Sequence, residues 1–198
     1  MFDRLPDELL YAIYNRLIRR EDKDALLLTR KSTYEGITSQ CTRLTVNVTD
    51  ARWSPGVTMN HIQTTTLNSN VREVCCNGDT DVVLLQMLVV ATSHRLQRLM
   101  VYKNAKLQSL SWPLPATLHE LEVYMCEKLL CLPAHLPAGL KSLNCSGCNS
   151  LTQLPMALPV ALKDLVCCEC THLTHLPEHL PAGLKKLYCS GCNSLMQL

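Results

Sequence analysis

One pattern of apolar and polar positions repeats from Leu114 to the end of the chain. Four copies begin at Leu114, Leu136, Leu158 and Leu180, so the copies are evenly spaced and follow one another without an insertion. Counted from Leu118 as position one, each copy has leucine, valine or cysteine at positions one, four, six, nine, twelve and fifteen, and a proline follows in the first three copies. A fixed period of this size is typical of a solenoid, in which each unit buries its apolar side only against its neighbours.

Spacing within the unit predicts one short strand and one extended return segment. Leu121 and Val123 in the first copy alternate with polar residues, as in a strand with one buried face. Leu129 and Leu132 follow at a different spacing, and the proline after them disfavours a helix. A stack of such units predicts a parallel sheet with one strand per unit.

The array continues upstream in a less regular form. Residues 96–110 lie one period earlier, with Asn104 where the later copies have cysteine. Residues 71–76 fit a further strand, and residues 81–92 predict a buried helix on the convex side, so that unit is a few residues longer. Residues 43–48 alternate like a first strand, and residues 51–70 follow no clear pattern.

The repeats resemble leucine-rich repeats. The doubled L-P-x-x-L-P-x-x-L junction, as at residues 132–140, is similar to short repeats of secreted bacterial effectors. Cysteine at position nine is similar to the cysteine-containing subclass found in F-box proteins. The resemblance implies a curved array with its parallel sheet on the concave face.

The N-terminal residues predict helices. Leu5, Leu9, Ile13 and Leu17 recur every four residues, which indicates an amphipathic helix with Pro6 in its first turn. A second helix over residues 23–31 follows, with Asp22 as its N-cap. One interpretation is a cap that covers the first turn of the array.

The other interpretation is an F-box. The sequence LPDELLYAIYNRLIRREDKDALLLTRKSTY resembles an F-box over about residues 2–42, with one extra residue before Asp22 and Tyr34 one place beyond the usual tryptophan. We therefore expect an α/β solenoid, with an F-box-like helical domain at residues 1–42, irregular repeats at 43–95 and regular repeats at 96–198. The last unit stops at position fifteen.

Resemblance to F-box proteins implies a substrate-recognition subunit of a Skp-cullin-F-box ubiquitin ligase, without an enzymatic step of its own. The residues expected to bind the Skp-type adaptor, and through it a cullin, are Leu5, Pro6, Leu9, Ile13 and Leu17. The outward strand residues expected to bind a target protein are Tyr102, Glu122, Tyr124, Asn144, Val166 and Tyr188. The alternatives are a protein-binding scaffold with a helical cap, and, for the tyrosines, ordinary solvated strand residues.

Three C-x-x-C pairs raise the possibility of a zinc site: Cys145 with Cys148, Cys167 with Cys170, and Cys189 with Cys192. The first cysteine of each pair occupies position six, where earlier units have valine, and free cysteine packs like a small apolar residue. We favour structural thiols, with a metalloprotein as the alternative. Cys168 falls at an outward position of the strand and is expected to be exposed, Cys131 lies on the return segment, and the histidines fall mostly on polar positions.

Composition narrows the remaining possibilities. A formal net charge of +2 and 18% charged residues give no electrostatic reason to expect nucleic acid or an anionic membrane as partner. The N-terminus lacks the apolar core of a signal peptide, and twelve cysteines then indicate a reducing compartment, so we expect a cytoplasmic protein. In a pathogen or virus this would be the host cytoplasm. We expect no cofactor, because no phosphate-binding loop or nucleophile motif is present.

Overall fold

The computed structural model describes the backbone of Arg43–Val48 and residues 71–80 and 82–196. The F-box-like segment 1–42 and residues 51–70 lie outside the described residues. The same holds for all of the expected adaptor-binding residues: Leu5, Pro6, Leu9, Ile13 and Leu17.

Seven strands form one parallel sheet, and their order in the sheet is their order in the chain. The strands are β1 (Arg43–Val48), β2 (Glu73–Gly78), β3 (Arg98–Tyr102), β4 (Glu120–Tyr124), β5 (Ser142–Asn144), β6 (Asp164–Val166) and β7 (Lys186–Tyr188). One strand per unit confirms the predicted solenoid, including the strand predicted over residues 43–48.

The register of the sheet follows the period of the sequence. From β3 onward each residue lies opposite its equivalent one period later, as Glu120 lies opposite Ser142. The offset is larger between β2 and β3, where Glu73 lies opposite Arg98. The predicted longer unit is therefore confirmed.

The core is a column of leucines that runs beneath the sheet. The leucines at positions one, four and twelve are fully buried in the three units whose position one is Leu96, Leu118 or Leu140. Each leucine stacks on its equivalents in the adjacent units, and full burial of such a side chain contributes about 1.5–3 kcal/mol. Every unit therefore depends on its neighbours for most of its stability.

One helix, α1 (Val82–Thr92), connects β2 to β3. Leu85, Leu88 and Val89 are buried in the core, whereas Val83 and Val90 are 46% and 58% exposed. The helix itself is confirmed, but the prediction that it is buried holds for one face only. Among the described residues, no helix is long and apolar enough to cross a membrane.

The other connections are extended. The connections between β3 and β7 contain turns and bridges but no helix, so the expected α/β class is wrong for these units, and the array is a β-solenoid low in helix. The proline three residues before each position-one leucine from Leu118 to Leu184 accepts a hydrogen bond that closes a turn, as from the Leu118 N–H to the Pro115 carbonyl. Parallel bridges such as Ser109 to Cys131 join successive return segments.

Candidate functional site

The side chains of the sheet alternate between the core and the face that we call the open face. In β4, Leu121 and Val123 are fully buried, while Glu120, Glu122 and Tyr124 are partly exposed. The open face thus consists of positions three, five and seven of the successive units. These positions alternate with the buried positions four and six.

All six residues expected to contact a target lie on this face. Four of them form a continuous row at position five of β4 to β7: Glu122, Asn144, Val166 and Tyr188. Tyr102 and Tyr124 lie opposite each other at position seven of β3 and β4. Tyr188 is the most exposed of the tyrosines on this face, at 53%.

A small aromatic and acidic cluster orders the face at β3 and β4. The Tyr102 hydroxyl donates a hydrogen bond to the Glu122 carboxylate, with an O–O distance of 2.6 Å. The rings of Tyr102 and Tyr124 meet edge to face, with 6.3 Å between their centroids and 70° between their planes. Both interactions restrict the rings, which lowers the entropy that a partner must remove on binding.

Oppositely charged residues at position three of adjacent strands pair with each other. Arg98 on β3 bonds Glu120 on β4 and lies 3.6 Å from Glu73 on β2. Lys186 on β7 lies 3.6 Å from Asp164 on β6. Pairs this exposed contribute at most about 1 kcal/mol each, so they set the charge pattern of the face more than its stability.

Part of the face is closed, which the sequence did not predict. Met100 has an outward position on β3 but is only 5% exposed, and Cys75 beside it on β2 is 3% exposed. Ser146 is 6% exposed, and its hydroxyl accepts a hydrogen bond from the Cys168 N–H. The accessible surface therefore centres on the tyrosines and the position-five row.

Position eight, directly after the open face, has a left-handed backbone in each unit from β2 to β7. The residues are Gly78, Lys103, Met125, Gly147, Glu169 and Gly191, with φ between 53° and 76°. The Met125 N–H donates to the Ser146 carbonyl in the next unit, and the Gly147 N–H donates to the Cys168 carbonyl in the same way. The turn therefore continues the ladder of hydrogen bonds beyond the end of each strand.

The cysteines at position six fill the core. Cys145 and Cys167 are fully buried, as are Val101 and Val123 at the same position of earlier units. Valine and the thiol therefore have the same packing role. This confirms the structural interpretation of the first cysteine in these two C-x-x-C pairs.

The cysteines at position nine tie each unit to the one before it. Their thiols donate to the position-six carbonyl of the preceding unit: Cys148 to Val123 at 3.1 Å, Cys170 to Cys145 at 3.1 Å and Cys192 to Cys167 at 2.9 Å. Cys126 approaches the Val101 carbonyl in the same manner at 3.7 Å. Both members of a C-x-x-C pair therefore have structural roles.

Asn104 at position nine also links its unit to the preceding one, but through its side-chain amide. Its amide donates to the Thr80 carbonyl, and its side-chain oxygen accepts from the N–H groups of Lys106 and Leu107. In the cysteine units the turn is closed by the main chain, as from the Leu129 N–H to the Cys126 carbonyl. Cysteine, like asparagine, therefore bonds to the preceding unit. Unlike asparagine, it accepts no hydrogen bonds from the N–H groups of the following turn.

Burial suppresses the ionisation of these thiols. It raises the pKa of Cys126 to about 11 and that of Cys148 to about 12. A hydrogen bond with Cys170, together with burial, raises the pKa of Cys145. Thiolates are the reactive form of cysteine, so these side chains are poor nucleophiles in the folded protein.

The remaining cysteines and histidines do not converge. All cysteines among the described residues are free thiols; Cys131 is exposed, and Cys168, which was expected to be exposed, is half-buried. Four histidines of the return segments are exposed: His135, His172, His175 and His179. Within the part of the chain that the structure describes, no group of three or more His, Cys, Asp or Glu side chains is arranged to hold a metal ion.

Comparison with protein-family models, curated proteins and solved structures finds no match to this chain. The geometry of the open face is therefore the main guide to function. It offers an ordered, mixed aromatic and polar surface.

Proposed function

We propose that the chain is the substrate-recognition subunit of a Skp-cullin-F-box type ubiquitin ligase and that its repeats are leucine-rich repeats. The observation that carries the target-binding half is the open face, where Tyr102, Tyr124 and Tyr188 are partly exposed on a regular sheet. Tyrosine is enriched among the residues that dominate binding energy at protein interfaces. The adaptor-binding half rests on the F-box-like sequence of residues 2–42.

The proposed mechanism is positional. Leu5, Pro6, Leu9, Ile13 and Leu17 would place an apolar helix face in a groove of the adaptor. The open face would hold a target near the ubiquitin-loaded enzyme, which raises its effective concentration. A cytoplasmic location belongs to the same proposal, because a reducing compartment keeps thiols free.

Co-purification of the full chain with a Skp-type adaptor and a cullin tests the proposal. We expect wild type to retain both, Leu9→Asp to lose both because a charge enters the helix groove, and Tyr124→Ala to retain both. Tyr124→Ala is the matched control, since it changes the other interaction surface. Retention of adaptor by Leu9→Asp would contradict the assigned interface.

Failure of the wild-type chain to bind any adaptor would overturn the ligase function. A chain that still captured a protein through Tyr124 would then be a binding scaffold. Capture of adaptor and capture of target are therefore measured separately for Leu9→Asp and Tyr124→Ala.

A further inference from the structure

A row of lysines runs along the N-terminal ends of the last three strands. Lys141, Lys163 and Lys185 occupy position two of three successive units, and all are exposed. The Lys163 N–H donates to the Lys141 carbonyl at 2.8 Å, and the Lys185 N–H donates to the Lys163 carbonyl at 2.7 Å. The three residues, which we call the lysine row, are therefore neighbours at the strand spacing of about 4.8 Å and span about 10 Å.

The lysine row differs from the adjacent column of charges. At position three, oppositely charged residues on adjacent strands pair, as Lys186 does with Asp164 at 3.6 Å. By contrast, the ammonium groups of the lysine row have no carboxylate of residues 71–80 or 82–196 within 4.0 Å. Like charges at this separation repel by up to about 1 kcal/mol per pair in water. The row is thus a concentration of positive charge that the fold leaves uncompensated.

The surroundings of the row keep it accessible. On one side the preceding positions are small and uncharged: Ala138, Gly139, Val160, Ala161, Ala182 and Gly183. On the other side Asp164 is the one carboxylate at position three of these units, and it is engaged with Lys186. His119 continues the row at position two of the preceding unit, where the Lys141 N–H donates to its carbonyl.

We infer that the lysine row is an interaction surface for an acidic segment of a partner protein. A single exposed ion pair contributes little, so useful affinity requires several carboxylates that bind together, and the row presents three ammonium groups in line. A longer polyanion such as nucleic acid fits less well, because the row is short and Glu73, Glu120 and Glu122 lie on the same sheet. The inference does not depend on the ligase function, because it rests on the charges of the row and not on the F-box-like segment.

Fluorescence anisotropy with a dye-labelled, glutamate-rich peptide tests the inference on the full chain. We expect binding that weakens as salt rises to about 0.15 M, where the screening length is about 8 Å. The triple variant Lys141→Gln, Lys163→Gln, Lys185→Gln should bind about tenfold more weakly. The corresponding triple arginine variant should bind like wild type, because the charges remain.

The matched control removes the same charge from another part of the array. Lys103→Gln, Lys106→Gln, Lys128→Gln changes three exposed lysines outside the row, and we expect it to bind the peptide within about twofold of wild type, since a distant surface charge is largely screened. Equal losses in both triple variants would overturn the inference, because net charge alone would explain them. Tighter binding of an oligothymidylate than of the peptide would overturn it as well.

Discussion

Single residues of this chain have roles that depend on their position in the unit more than on their chemical type. Valine and cysteine both fill position six, and asparagine and cysteine both link successive units at position nine. Position eight requires a left-handed backbone whether glycine, lysine, methionine or glutamate occupies it. The geometry of the stack therefore decides what each side chain must do.

Gly147 and Gly139 provide a matched test of position eight. Gly147 has a φ of +71°, and a Cβ there would lie 3.0 Å from Cγ of Met125, whereas a Cβ at Gly139 would meet nothing closer than 3.7 Å. We expect Gly147→Ala to lower the free energy of unfolding by about 1–2 kcal/mol, because L-residues disfavour this backbone region. Gly139→Ala should leave it unchanged or raise it by up to about 1 kcal/mol. Urea unfolding measures both, and equal effects would contradict the assigned turn.

The buried thiols predict a loss of stability at alkaline pH. The pKa of Cys126 is about 11 and that of Cys148 about 12 in the folded chain, against about 8.5 for a thiol in the unfolded chain. Above pH 8.5 the unfolded state releases protons that the folded state retains, so stability is complete below this pH and falls as pH rises toward 11. Each thiol lowers the free energy of unfolding by up to about 1.4 kcal/mol per pH unit in this window.

The measurement is the urea midpoint between pH 8 and pH 10, for wild type and for Cys148→Val. We expect the midpoint of the variant to fall less steeply, because one titrating thiol has been removed. Parallel pH profiles for the two proteins would show that Cys148 is not protected from ionisation by the fold.

At the scale of elements, α1 differs from all other connections described between β2 and β7 because it is a helix and buries one face only. Leu88→Ala should lower the free energy of unfolding by about 2–5 kcal/mol, since it leaves a cavity in the core. Val90→Ala, on the exposed face, should change it by less than about 0.5 kcal/mol. Thermal or urea unfolding distinguishes the two, and a large effect of Val90→Ala would indicate that the outer face of α1 is covered.

Much of the element structure could be predicted from spacing alone. Strands β3 to β7 follow from the constant period of the repeats, because identical spacing places identical positions side by side. Spacing also predicted α1, since residues 81–92 form an apolar run of helical length. It could not predict the helix's exposed face, because valines lie on both sides.

Other features depend on contacts between units and are not visible in the period. Alternation places Met100 and Ser146 on the outward face but says nothing about the neighbours that cover them. The hydrogen bond from Tyr102 to Glu122 joins positions seven and five of adjacent strands, which requires the register and the rotamers. The lysine row was present in the sequence at the same period as the leucines, and its significance depended on the charges around it.

At the scale of the whole molecule, the described array is a stack in which each unit contacts only its neighbours. Leucines, valines and thiols form one continuous core beneath β2 to β7, and the tyrosines and the position-five row of β4 to β7 are partly exposed on the opposite face. In a stack of this kind the core positions supply the stability. Residues of the open face and the lysine row can therefore change without lowering the stability of the array.

Residue-resolved alkylation of the native, reduced chain tests this arrangement most directly. Iodoacetamide followed by mass spectrometry reports the modification rate of each cysteine. We expect exposed Cys131 to react rapidly and buried Cys126, Cys145, Cys148, Cys167 and Cys170 to react only as fast as the array unfolds. Modification of Cys145 or Cys148 at the rate of Cys131 in the folded protein would contradict the role of the thiols as core filling.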